Sequence, residues 1–161
     1  MTTSTLTQQS SVSLDPALAS RIVREGYGPG AWHGPDLRAA IADVSVSTAF
    51  RRPGPGRHNI AEIVVHHAFY VRSVIERLGG TPDAFPFAGE DWFPLDDESA
   101  MKWSAIATLI ESLQSQLAAQ VAKPVRNDKT TDEQMDLVLG ITCHAAYHAG
   151  QIQLIKVLAA S

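Results

Sequence analysis

Residues 143–151 read CHAAYHAGQ, which sets His144 and His148 four positions apart among small residues. At ~100° per residue, Leu137, Ile141, His144, His148, Ile152 and Ile155 fall within a helical band roughly 80° wide. Both imidazoles therefore lie in the middle of an apolar stripe. Each can be a core histidine bonded to a neighbour, or the two can aim nitrogens at one metal ion, a task for which i and i+4 are well spaced. Cys143 projects roughly 140° away from His148 on the same count and is not a ligand. A third ligand has to come from another helix, and HNIAEIVVHHAFY (58–70) offers His66 and His67 in mid-run. Here the stripe is Ile60, Ile63, Val64, Val71, Val74 and Leu78. It includes His67 and leaves His66 roughly 100° round, so periodicity alone nominates His67.

Several neighbours carry weaker signals. Glu62, one turn before His66, is a candidate either to orient a ligand or to act as a base. An exposed or capping glutamate is the alternative. Gln151 lies near His148 on the same face and can support it, and Tyr147 is either a hydrogen-bond donor or, the favoured reading, packing. His33 and His58 stand at helix starts, where histidines are mostly solvated. Gly150 falls on the far side from the histidines, where close helix packing accounts for it.

The elements that must position these residues are helical. Asp15-Pro16 is a cap followed by a first-turn proline, opening a short helix that ends before Gly26. From Asp36, Leu37, Ala40, Ile41, Val44 and Thr48 form a helical stripe stopped by RRPGPG (51–56). A second helix runs from Asn59 to Gly79-Gly80. A third starts near Asp96 to Glu98, with Trp103, Ile106, Ile110, Leu113 and Leu117 on one face, and Pro124 ends it. The last starts at Thr130 or Thr131, where Glu133 and Gln134 are capping-box partners, and runs nearly to the C-terminus. No stretch alternates with period two long enough to be a strand. The expectation is an all-α four-helix bundle. Residues 79–97 are rich in Pro and Gly and long enough, at ~3.3 Å per residue, to run the length of a ~30 Å helix. They read as a crossover between helices 2 and 3 that leaves them parallel, with DWF (91–93) as a lid or contact surface.

The composition fits this plan. The chain has 161 residues, 45% hydrophobic and 19% charged, with a net charge of −4. That suits one soluble domain over 15–161 with a disordered tail over 1–14, and it lacks the basic excess of a nucleic-acid binder. A single cysteine excludes an internal disulfide and Cys-based zinc motifs. The N-terminus has no secretory pattern, and no apolar run approaches the roughly 18 residues of a membrane span, so a cytoplasmic protein is expected.

PGRHNIAEIVVHHAFY, FAGEDWF and GITCHAAYHAGQI, with AWHGPDL earlier, resemble the DinB/YfiT-like superfamily of four-helix-bundle metalloproteins. The closing H-x-x-[YH]-H-x-[GA]-Q-I pattern is the most specific part. The resemblance implies an up-down-down-up bundle, often dimeric, with a nickel, zinc or iron ion on one histidine of the second helix and two of the last. These positions match His66, His144 and His148. The register I-x-E-x-x-x-H-x-A, filled by Ile60, Glu62, His66 and Ala68, thus favours His66 over His67. Three neutral histidines leave coordination positions open, which marks a catalytic ion that lowers the pKa of a bound water or thiol. The implied function is a metal-dependent thiol transferase or hydrolase acting on a small molecule, with a low-molecular-weight thiol as a candidate partner. A non-catalytic metal-binding dimeric bundle, serving as sensor or interaction module, is the alternative. Trp92 and Phe93, in a polar loop, point to a homodimer interface.

Overall fold

A computed structural model describes residues 14–123 and 131–159. Among these residues the chain is all-helical: α1 (Pro16–Tyr27), α2 (Leu37–Ile41), α3 (Val46–Phe50), α4 (Ile60–Arg77), α5 (Trp103–Val121) and α6 (Thr131–Ala159). No described helix is long and apolar enough to cross a membrane. The expected tail over residues 1–13 lies outside the described residues, whereas Leu14 is buried in the core.

Caps set the helix starts. The Asp15 carboxylate accepts the Ala17 and Leu18 N–H groups, and Asn59 Oδ1 accepts the Glu62 N–H at 2.9 Å. Each satisfies donors that a helix leaves orphaned at its first turn. α1 does not stop before Gly26 but runs on to Tyr27. Gly26 is there because α6 is close: a Cβ at this position would stand 2.6 Å from the Thr142 carbonyl oxygen. The close-packing glycine is thus Gly26 and not Gly150, which is exposed with nothing within 4 Å of a Cβ.

Two other expected boundaries move. The stripe from Asp36 to Phe50 is not one helix but α2 and α3. Val44 turns into the core, its carbonyl takes the Trp103 indole N–H at 2.9 Å, and Ser45 caps a fresh helix by accepting the Thr48 N–H. The third long helix begins at Trp103, later than Asp96–Glu98, since Asp97 holds a turn through the Ser99 N–H and Glu98 Oε1 accepts the Trp103 N–H. Trp103, Ile106, Ile110, Leu113 and Leu117 are all buried, as the stripe requires. The capping box expected at Thr130 and the stop at Pro124 lie outside the described residues.

α6 packs against α1, α2 and α4, and α5 packs against α4 and α1. The segment between α4 and α5 is pinned at successive points. Leu78 O accepts from Gln120, and Asp83 bonds Gln116. Further on, Asp91 O meets His66, and Leu95 bonds both Glu62 and Asn59. The segment is thus tied first to the C-terminal half of α5 and then, from Asp91 onward, to His66 and the first turn of α4.

Candidate metal centre

The contact between α4 and α6 brings four imidazoles together. Nitrogens of His66, His144 and His148 lie within 4.8 Å of one another. His144 Nε2 is 3.0 Å from His148 Nε2 and 3.3 Å from His66 Nε2. Ligands ~2.0–2.1 Å from one tetrahedral ion stand about 3.3 Å apart, so these two separations already match a shared ion. His67, fully buried in the stripe that periodicity assigned it, meets His144 on the ring's other nitrogen, Nδ1 to Nδ1 at 2.8 Å. His66 stands at the margin of that stripe and reaches the cavity.

The remaining ring nitrogens are held. His66 Nδ1 donates to the Asp91 carbonyl at 2.8 Å, and His148 Nδ1 to Gln151 Oε1 at 2.6 Å. With those protons on Nδ1, the Nε2 lone pair of each ring can face an ion, since a hydrogen bond at the outer nitrogen fixes a ligand's tautomer. Asp91 is itself fixed by the Tyr70 hydroxyl, which donates to Oδ2 at 2.9 Å. Behind the site, Gln114 of α5 contacts His67 Nε2 at 3.0 Å. Burial keeps the cluster neutral. Desolvation, together with the neighbouring imidazoles, pushes His144 down to about 4. Desolvation does the same to His148, also to about 4, and lowers His66 and His67. Neutral, converging imidazoles are a donor set that suits a borderline divalent ion.

Trp92 closes the front. Its indole stacks on His66 at 3.8 Å between ring centroids and on His58 at 3.6 Å, nearly parallel to both. His58 Nδ1 in turn bonds Glu62 Oε2 at 2.9 Å. Glu62 is buried rather than exposed, and both its oxygens are engaged. Arg52 forks onto them at 2.5 and 3.0 Å, and the Leu95 N–H bonds Oε1 at 3.0 Å. Desolvation raises the carboxyl pKa, but the bonds from Arg52, Leu95 and His58 outweigh it and the net shift is downward. Glu62 is therefore an anchored carboxylate that reaches the site through His58 and Trp92.

A cleft of about 900 Å³ opens from the three histidines. Its apolar wall is Ile63, Leu154, Ile155 and Leu158, and its rim carries the 53–57 loop with Arg57, Trp92, Tyr147 and Gln151. The Gln151 amide donates to the Tyr147 hydroxyl at 3.0 Å, so Tyr147, mostly exposed, is a rim group and not packing. Cys143 is exposed and stands outside the cluster. Phe93 is buried with Phe85 and Phe87, and Trp92, half-buried, faces the histidines.

Sequence reasoning missed Arg52, Asp91, Gln114 and the part played by His58, which is half-exposed yet stacked and bonded. Arg52, Asp91 and Gln114 reach the site from a loop or another helix, so no helical spacing connects them to it. The i, i+4 relation of His58 to Glu62 was the one local signal available. His33 is exposed and bonds the Glu25 carbonyl, away from the site.

No curated protein and no solved structure matches the chain. The family model of the DinB superfamily matches residues 31–152, a span that contains α2 through most of α6 and all four clustered histidines. This chain belongs to the DinB superfamily.

Proposed function

We propose that the chain holds one divalent ion on Nε2 of His66, His144 and His148 and is a metal-dependent enzyme of the thiol-transferase or hydrolase kind. The observation that carries this reading is the meeting of three neutral imidazole nitrogens at the floor of an open cleft. An ion bound there would supply Lewis acidity to a thiol or water. The protein's share is to hold and orient. Asp91 and Gln151 fix the outer ring nitrogens, while Trp92 and the α6 wall exclude water from one side of a bound molecule. Tyr147 accepts from Gln151 and keeps its own proton to donate. Among the described residues, Arg57 is the one lysine, arginine or carboxylate residue in the lining, so the cleft fits a small molecule with an apolar body and an acidic group. A low-molecular-weight thiol bearing a carboxylate has that character. Zinc, nickel and iron all accept such donors.

The arrangement proposed for the helices is a four-helix bundle of α1, α4, α5 and α6 in up-down-down-up order. Its support is that Leu78, at the end of α4, meets Gln120 near the end of α5, while the connecting segment returns to His66 and Glu62 before α5 begins, which suits a crossover that leaves α4 and α5 parallel. A second reading, a non-catalytic dimeric metal-binding module, draws support from Tyr147, Leu154 and Leu158, exposed along one face of α6 at the cleft rim. The experiment that separates the two has two steps. Metal analysis of untagged protein should find about one ion per chain. A screen of thiols against small electrophiles should then show turnover that disappears in His144→Ala. A metal-bearing protein with rates equal to that variant across the screen favours the module, and metal-free protein that refuses zinc and nickel removes both readings.

A further inference from the structure

Four neutral imidazoles in contact cannot place their protons independently. His66 and His148 are fixed with Nδ1 protonated, by the Asp91 carbonyl and Gln151 Oε1. His144 has no such fixed acceptor: its Nδ1 faces another imidazole, Nδ1 of His67, and its Nε2 faces His148 and His66. Two directions satisfy the Gln114–His67–His144 contacts. In the first, Gln114 Nε2 donates to His67 Nε2, His67 Nδ1–H donates to His144 Nδ1, and His144 Nε2–H donates to His148 Nε2. In the second, the first two arrows reverse: His144 Nδ1–H donates to His67 Nδ1, and His67 Nε2–H donates to the Gln114 amide oxygen, brought round by a half-turn of the amide. His144 Nε2 then faces His148 Nε2 and His66 Nε2 with no hydrogen among the three, an arrangement that a shared cation satisfies. The proton count is the same in both. The placement of Gln114 Nε2 against His67 Nε2 is that of the first direction.

In the first direction His144 Nε2 carries a hydrogen and cannot coordinate. We propose that His67 and Gln114 are positioning residues that decide which nitrogen of His144 is free. On this view, seating a divalent ion on the three Nε2 atoms reverses the whole Gln114–His67–His144 chain. The inference rests on the metal-binding reading above. His67 serves because, enclosed and touching both partners, it can pass the choice of tautomer from α6 to α5. Gln114 serves because an amide offers donor and acceptor at one place, so it can end the chain in either direction. A carboxylate or a lysine there would hold the chain in one direction.

The test uses the full chain with ring-¹⁵N-labelled histidine, stripped by chelator and then titrated with zinc alone. Long-range ¹H–¹⁵N correlation reads which ring nitrogen is protonated. His144 should change from Nε2–H to Nδ1–H on zinc addition, and His67 from Nδ1–H to Nε2–H. Zinc Kd should rise by about 10- to 100-fold in His67→Leu, the usual cost of losing a ligand's outer partner. His67→Asn, whose amide oxygen can accept from His144, should recover most of that loss, and Gln114→Met should weaken zinc by about tenfold. Wild-type protein that binds zinc with unchanged tautomers overturns the proposal and leaves the metal site standing. Equal weakening in His67→Leu and His67→Asn marks mere packing and also overturns it. Wild-type protein that binds no zinc removes the metal reading and this inference together.

Discussion

His66 and His67 are neighbours in sequence, yet they face two different environments. The His66 side is built from a loop: Asp91 and Trp92 hold the ring, and beyond them lies the open cleft. The His67 side is built from helices α4, α5 and α6, with Gln114 as its outermost polar group. On the loop side, polar contacts can be exchanged with water. On the helix side they cannot, so each buried nitrogen needs a protein partner. The lesson is that one helix can serve two shells of a site at once, because a step of one residue turns ~100° from cleft to core.

Metal content breaks the comparison most sharply. His66→Leu and His144→Ala should each lose the ion, from about one per chain to near zero, by elemental analysis. His67→Leu should keep a full complement at saturating zinc. A reversal of this pattern would exchange the two sides.

Next in size is the anchor of the loop side. Arg52→Ala leaves the Glu62 carboxylate buried without its cation, and removing one partner of such a pair costs about 3–5 kcal/mol. Denaturant unfolding of the metal-stripped protein should show this loss, and Glu62→Gln in the same background should restore part of it.

Acid should expose the helix side. In the folded, metal-stripped chain His148 is held down to about 4, whereas an unfolded imidazole takes its proton near 6.5. Between these values the unfolded chain binds more protons, so stability must fall as pH drops from about 6.5 to about 4. His148 alone accounts for a loss on the order of 3 kcal/mol. Urea midpoints that stay flat across this window would contradict a neutral buried cluster.

The smallest effect belongs to Trp92→Ala. It removes two stacked contacts, each worth about 0.5–1.5 kcal/mol beyond burial, and should leave the metal stoichiometry unchanged. Differential scanning with metal analysis on the same sample checks both halves.

Some of this was readable from residues alone. The i, i+4 pair on α6, the buried faces of α4 and α5, and the Asp15 and Asn59 starts follow from helical periodicity and capping, which are local properties. Periodicity placed His67 in the core, and the family register singled out His66; the two histidines divide in that way between buried stripe and cleft. What could not be read depends on tertiary contact. Val44 breaks the expected 36–50 helix because Trp103, far along the chain, claims its carbonyl. Gly26 stays helical because α6 presses on it. The stacking of Trp92 was also unreadable, because no spacing rule says that a loop will fold its indole between two imidazoles.

Among the described residues, the lining of the cleft contains no aspartate or glutamate. Many metal sites neutralise their ion with carboxylates; here Asp91, its carboxylate 3.8 Å from His66 Nδ1, stands behind a ligand, and much of a dication's charge would be left to be balanced by whatever enters. Such a pocket discriminates by sign before it discriminates by shape. Thiolates and carboxylates would be drawn toward the ion, and cationic molecules of the same size would be turned away. The same property makes phosphate and carbonate buffers competitors for the cleft, so the choice of buffer bears directly on any assay of this protein.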